Sequence, residues 1–168
     1  CGPAYPMIGA LAAARDLGID ARATFVDTCS DALDASRRVT LAHGLDVARH
    51  RFALGDPAGG GLEPALEPGS QDLVSALWLV DSLDREAAVG AIARAYTLVR
   101  PGGSLVISAL LDGRPATEPE GRLGWPAATG TGLGALATLV ERAGIDVADA
   151  LACVPQDGAY AVVELARL

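Results

Sequence analysis

The chain has 168 residues, enough for one compact domain with a sizeable buried core, and no apolar run approaches the roughly 20 residues a membrane span needs. It is 51% hydrophobic but only 4% aromatic, so its core must be built from Ala, Leu and Val. A formal net charge of −8 argues against a nucleic-acid backbone as the main partner, because such binding rests on clustered Lys and Arg. No signal peptide with a basic start is visible. Cys1, Cys29 and Cys153 match neither a disulfide framework nor a zinc pattern, and they read as small buried or half-buried thiols of a reducing cytoplasm.

Cys1-Gly2-Pro3-Ala4-Tyr5-Pro6 forms a turn, and a helix follows over about residues 7–17, with Met7, Ile8 and Leu11 in an Ala-rich body. Gly18 is its natural stop. A Gly-containing turn feeding a helix is a typical cofactor cradle, since the helix N-terminus offers unpaired N–H groups and positive potential. No strand precedes it, so the chain is expected to be a fragment lacking its N-terminal strand. Residues 23–26 form a short strand ending in Asp27, and a helix starts near Ser30-Asp31, whose side chains are expected to cap it, and runs to His43 before Gly44. Residues 51–54 are another strand, ending in Gly55-Asp56-Pro57, and residues 59–70 are a loop with one helical turn.

The chain is organised around the next unit. Gln71-Asp72-Leu73-Val74-Ser75-Ala76-Leu77-Trp78 begins as an apolar strand and leads into a helix over about residues 85–99. Val89, Ile92, Tyr96 and Val99 are expected on its sheet-facing side. Pro101-Gly102-Gly103 stops the helix, and Ser104-Leu105-Val106-Ile107-Ser108 is the next strand. That is the length of a right-handed βαβ crossover in a buried parallel sheet. Residues 110–129 have no clear period and read as a lid or binding loop. A helix follows over about residues 132–143, with Leu133, Leu136, Leu139 and Val140. Strands over 147–154 and 159–165, joined by Pro155-Gln156-Asp157-Gly158, should pair as an antiparallel hairpin. The expected fold class is therefore α/β, a Rossmann-like three-layer sandwich with a mostly parallel sheet and a C-terminal antiparallel hairpin, forming a single domain.

In an open parallel α/β sheet, ligands bind beyond the C-terminal ends of the strands. The Gly2 turn, Asp27 and Asp56 all fall there. Asp27 stands where ribose hydroxyls would meet a bidentate acceptor, and Asp56 is within reach of an exocyclic amino group such as adenine's. Taken singly, each Asp also fits an ordinary cap or turn residue, and the Gly turn fits any tight connection. The three in order, on successive strand ends, carry the site.

The series Cys1-Gly2-Pro3-Ala4, Phe25-Val26-Asp27, Gly55-Asp56, Gln71-Asp72-Leu73-Val74-Ser75 and Leu98-Val99-Arg100-Pro101-Gly102-Gly103 resembles class I S-adenosylmethionine-dependent methyltransferases over nearly the whole chain. The resemblance implies a seven-stranded sheet and S-adenosyl-L-methionine as cofactor. It places Gly2 and Ala4 at the methionine part, Asp27 and Thr28 at the ribose and adenine, Asp56 and Pro57 at the adenine amino group, and Ser75 and Ala76 at the sulfonium end. Ala4 stands where the family often has Gly, and Thr28 where an apolar residue often covers the adenine. The first strand, with any acidic residue at its end, would lie upstream of Cys1. Without it, residues 1–168 are expected not to form an independently stable, fully active enzyme.

Methyl transfer from a sulfonium needs alignment and desolvation more than a base, and no catalytic base is assigned. Near the acceptor mouth the candidates are Tyr5, Trp78, Asp81, Asp112 and Trp125. Of these, Trp78 reads as core, Asp81 as the start of the following helix and Asp112 as a turn residue. His43 and His50 read as surface or packing residues away from the site. The acceptor is expected to be a small molecule, and no metal is implied. Two other readings stay open. A nicotinamide-dependent oxidoreductase would use a similar Gly turn and acidic ribose binder, but Gly2-Pro3-Ala4-Tyr5-Pro6-Met7 does not give G-x-G-x-x-G, and the absence of Lys excludes a Tyr-Lys pair. A catalytically silent methyltransferase-like partner domain would accommodate the departures at Ala4 and Thr28.

Overall fold

The computed structural model describes residues 4–56, 59, 66–111, 131–156 and 158–168, in two units, Cys1–Ala65 and Leu66–Leu168. Gly2, Pro57, Asp112 and Trp125 lie outside the described residues, as do almost all of the expected lid and half of the loop expected over 59–70.

The first unit contains α1 (Tyr5–Asp16), β1 (Thr24–Asp27), α2 (Ser30–Ala42) and β2 (Arg51–Leu54). Helix α1 starts two residues earlier than its apolar pattern implies, because Pro6 fits in a first turn whose N–H groups have no intrahelical acceptor. Ile8 and Leu11, one turn apart, bury against Phe25, Leu33 and Leu45. Strands β1 and β2 are parallel and in register from Thr24 opposite Arg51 to Asp27 opposite Leu54. The expected cap of α2 is corrected. Cys29 is the capping residue and makes no side-chain cap bond. Ser36 and Thr40 are buried on this helix, and each donates its hydroxyl one turn back, to the carbonyls of Ala32 and Ser36. The polar atoms are thereby satisfied inside the core.

The second unit contains β3 (Gln71–Ala76), α3 (Arg85–Leu98), β4 (Val99–Leu110), α4 (Leu133–Arg142), β5 (Leu151–Cys153) and β6 (Tyr160–Ala166). Its sheet runs β3-β4-β6-β5. Strand β3 is parallel to β4, while β4–β6 and β5–β6 are antiparallel, so the expected closing hairpin is present. Strand β4, paired on both sides, holds the core through Leu105, Ile107 and Ala109.

The expected face of α3 does meet the core, Ile92 and Val99 being buried and Val89 and Tyr96 half-buried against it, but the most buried positions of the helix also include Ala88, Ala91, Ala95 and Leu98. Alanine counts little in an apolar pattern, yet it leaves room for close packing against the sheet and against Leu136 and Val140 of α4. Its start is set by Asp84, which accepts the Ala87 N–H at 2.8 Å, and not by Asp81.

The helix-to-strand junction is tighter than a simple turn. Gln71 pairs with Val99 and Leu73 with Ser104, so Arg100–Gly103 bulges out of the ladder. A Cβ on Gly103 would lie 2.6 Å from the Asp72 carbonyl oxygen and 2.9 Å from a Val99 methyl, so only glycine fits. Strand β3 is also less buried than a central parallel strand. Leu73 is 46% exposed, and no strand pairs with the other edge of β3 among the described residues.

Candidate functional site

In the first unit, parallel register sets the geometry. Because Asp27 is opposite Leu54, Asp27 and Asp56 follow one rim, at the C-terminal ends of two hydrogen-bonded strands. The Gly55 N–H donates to the Asp27 carbonyl at 3.0 Å, tying the two strand tips together. The half-buried Asp27 accepts the Cys29 N–H on Oδ1 at 2.9 Å, so it also shapes the turn into α2. Thr28 and Asp56 are exposed on the same rim. A Cβ on Gly59 would overlap the Asp56 carboxylate, so this glycine lets the chain pass close to it. Sequence reading passed over Gly59, whose only signal is its place in a glycine run.

Ala4 adopts φ 51 and ψ 28 immediately before α1, one of two non-glycine residues with positive φ among those described. The left-handed region brings Cβ close to the following carbonyl and costs roughly 1–2 kcal/mol. A glycine would take this conformation without that cost, and alanine occupies the position under strain. Tyr5 is exposed in the first turn of α1.

His50 lies at the opposite, N-terminal end of β2. It is buried, its Nδ1 accepts the Ala23 N–H at 3.2 Å, and its ring meets Phe25 edge-on at 6.3 Å. Burial lowers its pKa below the ordinary imidazole value, the neighbouring Arg49 charge lowers it further, and Asp46 opposes both. It is a packing residue, as expected, and His43 terminates α2. A cavity of about 190 Å³ at this end is lined by Leu11, Arg15, Leu45, Arg49 and His50, among others. It is not the rim that carries Asp27 and Asp56.

In the second unit, Ser75 and Ala76 end β3, the first exposed and the second half-buried. The chain then turns through residues 77–79, and Trp78 takes φ 64. Its N–H donates to Oγ of Ser108, which is buried in β4, at 2.8 Å. The expectation that Trp78 is core is corrected, since 51% of it is exposed. Its ring lies 5.6 Å from that of Tyr160, tilted by 49°. Asp81 accepts the Leu110 N–H through both carboxylate oxygens and the Thr131 hydroxyl, joining the segment after β3 to the end of β4 and the approach to α4. No local pattern announces either contact.

Cys29 and Cys153 are exposed and outside any disulfide, which corrects their expected burial. Among the described residues no group of three potential ligands could hold a metal ion, and no helix is long and apolar enough to cross a membrane.

Several solved structures share this architecture. The S-adenosylmethionine-dependent methyltransferase SibL matches with a TM-score of 0.69 at 22% identity, over 99% of this chain and 48% of its own. The O-methyltransferase NcsB1 from neocarzinostatin biosynthesis, solved with S-adenosyl-L-homocysteine and 1,4-dihydroxy-2-naphthoic acid, matches with 0.67 at 19% identity, over 99% and 47%. The cyclase SpnF matches with 0.69 at 18% identity, over 99% and 72%. The fold is that of the class I S-adenosylmethionine-dependent methyltransferases. The chain spans about half the length of the first two structures. No protein-family model matches it, and a comparison with curated protein sequences finds no match. On this methyltransferase fold, Asp27, Thr28 and Asp56 fall on one rim of the first unit, and Ser75 and Ala76 fall at a parallel-strand end of the second.

Proposed function

We propose that the chain binds S-adenosyl-L-methionine and supports methyl transfer to a small-molecule acceptor, as a single methyltransferase domain. What carries the reading is the pair of carboxylates following the tips of adjacent parallel strands, Asp27 and Asp56, on a fold shared with proteins named as methyltransferases. NcsB1 and the N-methyltransferase NodS from Bradyrhizobium japonicum were both solved with S-adenosyl-L-homocysteine, which favours the same ligand here.

In this reading Asp27 accepts from the ribose hydroxyls. Asp56 accepts from the adenine amino group, with Thr28 beside the base. Ala4 approaches the methionine part at the α1 N-terminus, and Ser75 and Ala76 serve the sulfonium end. The bound sulfonium supplies an already activated methyl group, so the chain's task is to hold the reacting atoms in line and exclude water. No side chain is assigned as base.

The test is calorimetry of the full-length protein with S-adenosylhomocysteine, with NADH as the competing ligand. Asp27→Ala is expected to weaken S-adenosylhomocysteine binding at least about tenfold, the size of one lost charge-assisted hydrogen bond. Asp27→Asn keeps an acceptor for the Cys29 N–H but loses the charge, and is expected to fall between. Unchanged affinity in both variants, or preference for NADH, would sink the proposal.

One observation favours a second reading, a domain that keeps the fold without transferring methyl groups. Ala4 crowds the α1 approach with a left-handed Cβ, and the fold is shared with a protein named as a cyclase. Retained S-adenosylhomocysteine affinity with no methylated product from any tested acceptor would support it.

A further inference from the structure

The cavity of about 190 Å³ in the first unit lies at the end of the strands away from Asp27 and Asp56. Leu11, Ile19 and Leu45 give it an apolar lining, and His50 lines it too. Packing uses only part of the His50 ring. Its Nδ1 accepts the Ala23 N–H at 3.2 Å, so in the neutral ring Nε2 carries the proton and acts as a donor. His50 is 9% exposed, and Nε2 meets no acceptor among the described residues. Yet no fully buried side-chain nitrogen or oxygen among those residues lacks a partner. Nε2 therefore keeps a point of access, and the cavity is the space that His50 lines.

The charged groups of the lining divide into held and open ones. Arg15 donates Nη1 to the carbonyls of His43 and Gly44, and its Nε and Nη2 to Asp16. Asp46 accepts the Ala48 N–H on Oδ1 at 3.0 Å, within its own turn. Arg49 donates through Nη2 to Asp20, and its other N–H groups meet no acceptor among the described residues. The lining thus carries two guanidiniums against one carboxylate, and its uncommitted polar groups are donors.

We propose that this cavity is a second small-molecule site, which takes a compact carboxylate with a one-ring apolar body. The body lies against Leu11, Ile19 and Leu45, and the carboxylate accepts from the His50 Nε2–H and from Arg49. Size agrees, since an apolar cavity of about 150 Å³ holds a benzene and this one has room for the carboxylate as well. Nothing in the site depends on the methyl-transfer reading, because all its residues stand at the N-terminal ends of β1 and β2 or on the helices beside them.

The experiment is calorimetric titration of the full-length protein with benzoate, benzyl alcohol and inorganic phosphate, and with S-adenosylhomocysteine in parallel. Benzoate is expected to bind about tenfold or more tightly than either of the other two small ligands. Arg49→Gln should weaken benzoate about tenfold and leave benzyl alcohol and S-adenosylhomocysteine unchanged. Asp20→Asn, which removes the acid paired with Arg49, should tighten benzoate and keeps the test open if Arg49→Gln fails to fold. In proton NMR the His50 Nε2–H signal, identified by its loss in His50→Gln, should exchange more slowly with water once benzoate is bound. The site is overturned if benzoate does not bind, if phosphate binds as tightly (a bare anion patch), or if benzyl alcohol does (an apolar hole only). Unchanged benzoate affinity in Arg49→Gln, weaker binding in Asp20→Asn, or an unresponsive His50 signal would overturn it equally.

Discussion

Ala4 and His50 show how single residues hold opposite ends of the first unit. Ala4 carries a Cβ at φ 51, so Ala4→Gly removes left-handed strain but gives the unfolded chain more freedom to lose. The net gain is expected to be about 0.5–1 kcal/mol, read as a higher urea midpoint with an unchanged slope. His50 works through a proton. Its Nδ1 accepts the Ala23 N–H, so protonation would set a donor against a donor at the entry to β1. Its folded pKa lies below the ordinary value of about 6.5 through burial and the Arg49 charge, with Asp46 opposing and Arg15 on the same cavity wall. The unfolded chain therefore takes up the proton first as pH falls. The stability this group contributes is complete above about pH 6.5 and is lost as pH drops toward the folded pKa. Urea midpoints measured from pH 7.5 to 5 should fall, and His50→Gln, which can still accept from Ala23 but cannot titrate, should flatten that fall. Neither effect was legible in the sequence. A histidine before a strand gives no sign of its acceptor, and an alanine before a helix gives no sign of its φ. Asp27 and Asp56 were legible because a carboxylate after a short apolar run in an α/β pattern must fall near a strand tip.

At the scale of elements, apolar patterning and turn chemistry located every described α-helix and strand but neither of the short 3-10 turns at Val47–Arg49 and Val80–Ser82, whereas faces and exact starts depended on contacts distant in sequence. Helix α3 buries alanines because β4 and α4 come close to it, and hydrophobicity alone favoured its larger residues. The Arg-Pro-Gly-Gly stretch was legible as a stop, but the pairing of Val99 with Gln71 before that stop was not. The junction makes a sharp prediction. A Cβ on Gly103 would meet the Asp72 carbonyl oxygen, which is backbone and cannot swing aside. Gly103→Ala should cost about 2–3 kcal/mol by forcing β3 and β4 apart. Gly102→Ala, with nothing within 4 Å of the added carbon but φ 78, should cost about 1 kcal/mol. Denaturation of both variants beside the wild type checks the order, and a Gly103→Ala protein as stable as Gly102→Ala would remove the close-approach argument.

The whole molecule divides its buried residues unequally. Among the described residues, the first unit rests on Ile8, Leu11, Phe25, Leu33 and Leu45 around a two-stranded sheet, whereas the second packs two helices and Val80 against a four-stranded one. A two-stranded pair has little stability of its own and depends on the helices packed on it, and a core of that size supplies only a few kcal/mol. In the second unit β4 is hydrogen-bonded on both sides, with Leu105 and Ile107 fully buried. Residues 1–168 expressed alone should therefore unfold in more than one step, the first unit at lower urea and the second at higher. Amide exchange should follow the same order, with Ile107 and Leu165 protected far longer than Phe25. The edge of β3 that pairs with no strand among the described residues, with Leu73 exposed beside it, should make this chain associate as its concentration rises, and Leu73→Lys should reduce light scattering without lowering the second midpoint. A single coincident transition by circular dichroism and fluorescence would instead show that the two cores melt as one.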